Sequence, residues 1–170
     1  MQRALGPSGV RFHWVDGGAN HSVGRVDPLT CGGTKVYFTP AAPNSVSTAG
    51  ASFSVQGCAS HAVNNHDFNV TDLHHNTPGI FFYGPLQTKV PFGNGWICVA
   101  GPATRVLPSL TATVSGTITY DVDLTKFPFS SGSGQVLPGS NRNFQYWNRD
   151  PVVPPKGYNL SNAVQIVLGP

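Results

Sequence analysis

From Leu110 to Leu124 the chain alternates without a break. Even positions read Leu, Ala, Val, Gly, Ile, Tyr, Val, Leu, while every odd position is Thr, Ser or Asp. Successive side chains on a strand point to opposite faces, so this run is a strand with one dry and one wet face, or two strands bent at Gly116. Shorter β-rich runs lie on either side. Lys35-Val36-Tyr37-Phe38 is closed by Pro40 and Pro43; residues 51–56 alternate and stop at Gly57; Phe68, Val70 and Asp72 share one parity ahead of a turn at Asn76-Thr77-Pro78-Gly79. Ile80-Phe81-Phe82-Tyr83 is apolar at every position and flanked by glycine, as a buried core strand is. Residues 96–100, 104–107, 144–147 and 163–168 complete a set of roughly nine strands, a usual number for two packed sheets. No stretch carries apolar residues at helical spacing with caps, so almost no helix is expected. Connections of uneven length and the absence of a fixed repeat favour an all-β sandwich or jelly roll over a propeller.

Composition agrees with that reading and narrows it. Charged residues make up only 10%, well under the quarter usual in globular domains, yet aromatic residues reach 11% and rule out a disordered chain. The 20 glycines and 15 prolines fall between the patterned runs, where turns belong. Residues 1–30 carry few alternations and read as an N-terminal arm or the remnant of a preceding segment; residues 31–170 read as the β-sandwich domain. The net charge of +3 comes from scattered basic residues, with Lys35, Lys89, Lys126 and Lys156 each standing alone. That pattern gives no support to nucleic-acid binding. No apolar run approaches the ~20 residues of a membrane span, and the first residues lack the plan of a signal peptide. An extracellular location with the signal upstream or removed is expected, and the chain reads as an excised domain. Of Cys31, Cys58 and Cys98, one disulfide leaves one cysteine over, and no zinc-finger spacing is present. One disulfide fits an oxidising compartment.

Two stretches carry a resemblance. The first is Pro78-Gly79-Ile80-Phe81-Phe82-Tyr83-Gly84 followed by Val90-Pro91-Phe92-Gly93-Asn94-Gly95-Trp96-Ile97-Cys98-Val99; the second is Asn143-Phe144-Gln145-Tyr146-Trp147-Asn148-Arg149-Asp150-Pro151 followed by Asn159-Leu160-Ser161-Asn162-Ala163. Together they resemble a domain found near the C-termini of large secreted proteins of planctomycetes and related bacteria. The likeness covers about residues 31–170 and implies an extracellular β-sandwich module attached to varied partners, with no reaction assigned. Relatives tend to end in Cys-Pro, whereas this chain ends Leu168-Gly169-Pro170, which leaves the partner of Cys98 open.

Three kinds of chemistry are candidates. His61, His66, His74 and His75 lie close in sequence, and imidazole is a common ligand for zinc and copper. A divalent metal (Cu, Zn or Ca) held by His66, His74 and His75 is one reading; exposed loop histidines are the plainer one. Positions 66 and 74 on a single strand would stand ~26 Å apart, so the chain must fold back for both to reach one ion. Calcium could also draw on Asp16, Asp27, Asp67 and Asp72, though no calcium-loop spacing is present. Nucleophilic catalysis lacks a GxSxG elbow, and Cys98 in its apolar run reads as a buried thiol or disulfide partner. Aromatic rings with polar neighbours offer a binding surface. Tyr146, Trp147, Arg149, Tyr158 and Asn159, with Asn148 and Asn162, could stack on and hydrogen-bond to a sugar. Tyr146 and Trp147 are adjacent on a strand, so only one of them faces inward; in the plainer alternative it fills the core while Arg149 pairs with Asp150. The expected function is a non-catalytic extracellular adhesion module, with polysaccharide or a cell-surface partner as ligand. A self-assembling structural subunit, joined through edge strands or the N-terminal segment, and a His-ligated metal enzyme are the alternatives.

Overall fold

The structure, a computed structural model, describes residues 31–169 and, ahead of them, the backbone of two strands. β1 (Arg11–Val15) and β2 (Val23–Asp27) pair antiparallel with each other. The segment read as an unpatterned arm therefore contains a strand pair; its expected addition to a neighbouring chain lies outside the described residues.

The body of the fold is all-β, with ten strands after residue 31 and no helix among the described residues. β4 (Ser52–Gln56), β5 (His66–Thr71) and β10 (Ile118–Val122) form a three-stranded sheet in the order β10-β5-β4. β3 (Gly33–Tyr37), β12 (Tyr158–Val167), β11 (Asn141–Arg149), β6 (Pro78–Gly84) and β9 (Thr104–Thr111) form a five-stranded sheet in the order β3-β12-β11-β6-β9. All these pairings are antiparallel. β7 (Leu86–Phe92) and β8 (Gly95–Ala100) pair only with each other, as a hairpin flap.

Alternation dictates what meets between the sheets. Phe53 from β4 and Phe68, Val70 from β5 face Phe81, Tyr83 from β6 and Phe144, Tyr146 from β11, all buried in one core. Phe68 meets Phe144 edge-on at 5.0 Å, Phe81 meets Phe53 and Tyr146 tilted at 5.3 and 4.6 Å, and Tyr83 stacks on Phe144 at 5.1 Å. These are separations at which ring quadrupoles attract. A side-chain amide also stitches the sheets. Asn162 on β12 accepts from the Phe53 amide at 2.7 Å and donates to the Phe53 carbonyl at 2.9 Å, taking the place of a strand at that edge of β4.

The flap lies on the outer face of the five-stranded sheet and makes a second, smaller core. Phe82 and Leu160 point outward from the sheet and are covered by Val99, with Ile97 and Trp147 packed alongside. This explains the unbroken apolar run of β6: Phe81 and Tyr83 serve the inner core while Phe82 serves the outer one. Gln145 fastens the flap. Buried on the same outer face, it accepts from the Cys98 amide at 2.9 Å and donates to the Trp96 and Ser161 carbonyls, each at 2.8 Å.

Three points sharpen the expectations. Of the two readings of the long alternating run, two strands bent at Gly116 is the one observed: its start ends β9, its middle turns at residues 113–116, and its remainder is β10. Gly116 has φ +71°, and a Cβ there would strike the Leu73 carbonyl, so the bend needs glycine. β7 was not expected, because a strand on the outside of a flap buries almost nothing and shows no alternation. The cysteines resolve as a Cys31–Cys58 disulfide with Cys98 free and buried. Lys35 in β3 and Pro108 in β9 sit on the two edges of the larger sheet, where a lysine or proline discourages edge-to-edge pairing.

Candidate functional site

The flap covers only part of the outer sheet face, and the remainder is a groove of about 650 Å³. That size falls within the range usual for ligand pockets. Its lining comes from several strands. Ile80, Phe82 and Trp147 rise from β6 and β11, Phe92 and Ile97 come from the flap, and Arg105 and Ser109 come from β9. Tyr158 and Leu160 at the start of β12 add to it.

Local sequence explains the aromatic wall. Trp147 follows Tyr146, so it must take the opposite face; Tyr146 is fully buried against Phe81, and Trp147 stands outward. Trp147 and Tyr158 are neighbours with centroids 5.7 Å apart, and Phe92 lies 5.6 Å from Tyr158. The flap tip is held against Tyr158 by the turn residues. Gly93, at φ +65°, leaves room for the Tyr158 ring, which any Cβ would strike. Asn94 donates its amide to the Tyr158 carbonyl at 3.1 Å and its side chain to the Val153 carbonyl at 2.8 Å. Arg149, exposed at the end of β11, carries its guanidinium over the Trp147 ring at 5.5 Å.

The sequence-derived site is therefore partly assembled. Trp147, Arg149 and Tyr158 meet at the groove. Tyr146 belongs to the inner core and cannot touch a ligand there. Asn159 is also buried and uses its side-chain amide on the Pro43 carbonyl at 2.8 Å, so it anchors a loop. Asn148 and Asn162 are buried likewise. Asp150 is buried and accepts from the Ser45 amide at 2.9 Å, tying the 44–47 loop down, while Arg149 turns to Trp147. The residues sequence reasoning missed are Phe82, Phe92 and Arg105. The available signal was the both-sided apolar run at Ile80-Phe81-Phe82-Tyr83, which requires a further layer over the outer face.

The histidines do not converge. Among the described residues no three His, Cys, Asp or Glu side chains form a group able to hold a metal ion. His66 shares the inward parity of Phe68 and Val70 and is buried. His74 and His75 lie beyond β5, in the turn before β6, and stack on each other at 4.7 Å. The set of His66, His74 and His75 is thus split between core and surface, as strand parity followed by a turn requires.

His66 has neither ring nitrogen hydrogen-bonded, and burial holds its pKa below the ordinary 6.5. The unfolded chain takes up a proton near pH 6.5 that the folded chain refuses. Stability is then full above that pH and falls as pH drops below it, by at most about 1.4 kcal/mol per pH unit from this group. Urea midpoints between pH 7.5 and 5 are expected to fall less steeply in His66→Leu than in the parent; equal slopes would assign the acid sensitivity elsewhere.

A second cavity, about 210 Å³, lies between the flap and the 40–43 loop, beside Cys98 and under Lys89. The Lys89 ammonium sits over both the Phe38 and Trp96 rings, at 5.4 and 5.1 Å. Burial pushes the Cys98 thiol upward, which keeps it protonated and lowers its reactivity.

Compared with family models, with curated proteins and with solved structures, the chain has no match in any of the three. No helix among the described residues is long and apolar enough to cross a membrane.

Proposed function

We propose that this chain is a non-catalytic extracellular binding module and that its groove holds a stretch of polysaccharide. The observation that carries this reading is the ring-lined groove on an outer sheet face, where Trp147, Tyr158 and Phe92 offer apolar faces over the buried Phe82, beside the polar Arg105 and Ser109. Sugar rings present C–H faces that pack on aromatic rings and hydroxyls that bond to polar neighbours. The site is held by backbone-anchored turns and a buried glutamine, so little ordering has to be completed on binding. The Cys31–Cys58 disulfide supports an oxidising, extracellular setting. The resemblance to C-terminal domains of secreted planctomycete proteins points the same way. Self-assembly through sheet edges is less well supported, since Lys35 and Pro108 blunt the two edges of the larger sheet.

Retention on insoluble and gel-embedded polysaccharides is the test. Trp147→Ala and Phe92→Ala are each expected to weaken retention about tenfold or more, the equivalent of about 1.4 kcal/mol. Phe92 is 43% exposed, so its replacement should leave the urea midpoint nearly unchanged. Full retention by both variants would move binding away from this groove.

A further inference from the structure

Among the described residues, acidic side chains stay away from the groove. All seven acidic residues of the chain are aspartates. Asp67 and Asp121 face each other in register on β5 and β10 of the smaller sheet, and Asp123 directly follows β10. Asp72 follows β5, and Asp150 is buried under the 44–47 loop. None of the residues lining the groove is acidic, while Arg105 lines it and Arg149 lies over its Trp147.

Register places these two arginines at separate points of the groove. Phe82 on β6 pairs with Arg105 on one side and with Gln145 on the other. Arg149 lies four residues beyond Gln145 along β11. At ~3.4 Å per residue and ~4.8 Å per strand, the two Cα atoms stand about 17 Å apart across the floor of the groove. One small anion cannot bridge that distance, but a chain bearing an anion on each of several successive sugars can. Both arginines are exposed, and a guanidinium fork matches carboxylate and sulfate oxygens equally.

We infer that the groove is selective for an acidic polysaccharide, with the sugar rings on Trp147, Tyr158 and Phe92 and ring-borne oxyanions on Arg105 and Arg149. This rests on the polysaccharide reading above and adds the charge of the ligand to it. Two isolated arginines do not form the basic stripe that a nucleic-acid backbone requires.

Affinity electrophoresis of the full chain separates the outcomes, with gels containing polygalacturonate, fully methyl-esterified polygalacturonate, dextran sulfate or dextran. Retardation is expected in polygalacturonate or dextran sulfate, whichever source supplies the oxyanion, and at least tenfold weaker in the uncharged counterpart of the same backbone. Arg105→Gln and Arg149→Gln should each weaken it severalfold and flatten its dependence on salt. Lys126→Gln, which removes the partner of Asp123 at 3.2 Å on the other sheet, should have no effect. Equal retardation in charged and uncharged gels that Trp147→Ala abolishes would overturn the acidic selectivity and leave the groove reading standing. Retardation in anionic gels that Lys126→Gln weakens as much as the arginine variants would reduce it to net charge and overturn the inference. No retardation in any gel would overturn both.

Discussion

Phe81→Ala is expected to destabilise the fold by about 3–5 kcal/mol, a large part of the ~5–15 kcal/mol that holds most domains together. Phe81 is where the two sheets meet. Its ring touches Phe53 at 5.3 Å and Phe68 at 5.3 Å on the smaller sheet, Tyr120 at 5.9 Å on β10, and Tyr146 at 4.6 Å on its own sheet. Truncation leaves a void walled by rigid rings that cannot all collapse inward, so the cavity penalty adds to the lost burial. For a chain of this length the melting temperature should drop by ten degrees or so. Phe81→Leu, which keeps most of the volume, should recover more than half of the loss. Matched urea titrations of the three proteins measure this. A loss below about 1 kcal/mol for Phe81→Ala would show that the sheets do not share this core.

The contrast between Phe81 and Phe82 shows how far sequence reading reached. Alternation in residues 51–56, 68–70 and 118–122 identified the inward faces of β4, β5 and β10 correctly, because each of those strands has one wet face. Ile80-Phe81-Phe82-Tyr83 has none, and its unbroken apolar run located a strand without saying what covered each side. The cover is the flap, whose outer strand β7 is polar or exposed along its length and gives no periodic signal. The groove was hidden for the same reason: it exists only where the flap stops short. Parity did separate Tyr146 from Trp147, but could not tell that Asn159 is buried. On β12 parity itself breaks. Trp147 pairs with Leu160 and Gln145 with Ala163, so Ser161 and Asn162 both stand against Tyr146. This bulge turns Leu160 outward to the flap and Val164 inward to the main core, although the two are four residues apart. His66 and His74 are not brought together because closeness in sequence here spans a strand and a turn, which send them to different environments.

Gln145→Ala is expected to free the flap more than it unfolds the protein. The wild-type side chain is fully buried and satisfies the Cys98 amide, the Trp96 carbonyl and the Ser161 carbonyl at once. Each buried group left unpaired costs about 1–3 kcal/mol. Two of the three belong to β8, which can recover hydration by lifting away, whereas the main core between the sheets does not involve Gln145. The molecule carries its own reporter, because Cys98 is a free thiol on the flap strand β8, buried while the flap is down. Thiol labelling under native conditions should accelerate about thirtyfold to a hundredfold, the equivalent of 2–3 kcal/mol off the opening free energy at about 1.4 kcal/mol per tenfold. Gln145→Glu, which keeps the acceptor but loses the two donated bonds, should also label faster than the parent. On the proposed reading of the groove, polysaccharide retention should weaken in parallel, since Phe92 and Ile97 come to the groove from the flap. Unchanged labelling with a lowered urea midpoint would mean instead that the flap and the five-stranded sheet open as one unit, and that Gln145 stabilises the whole fold without gating its outer layer.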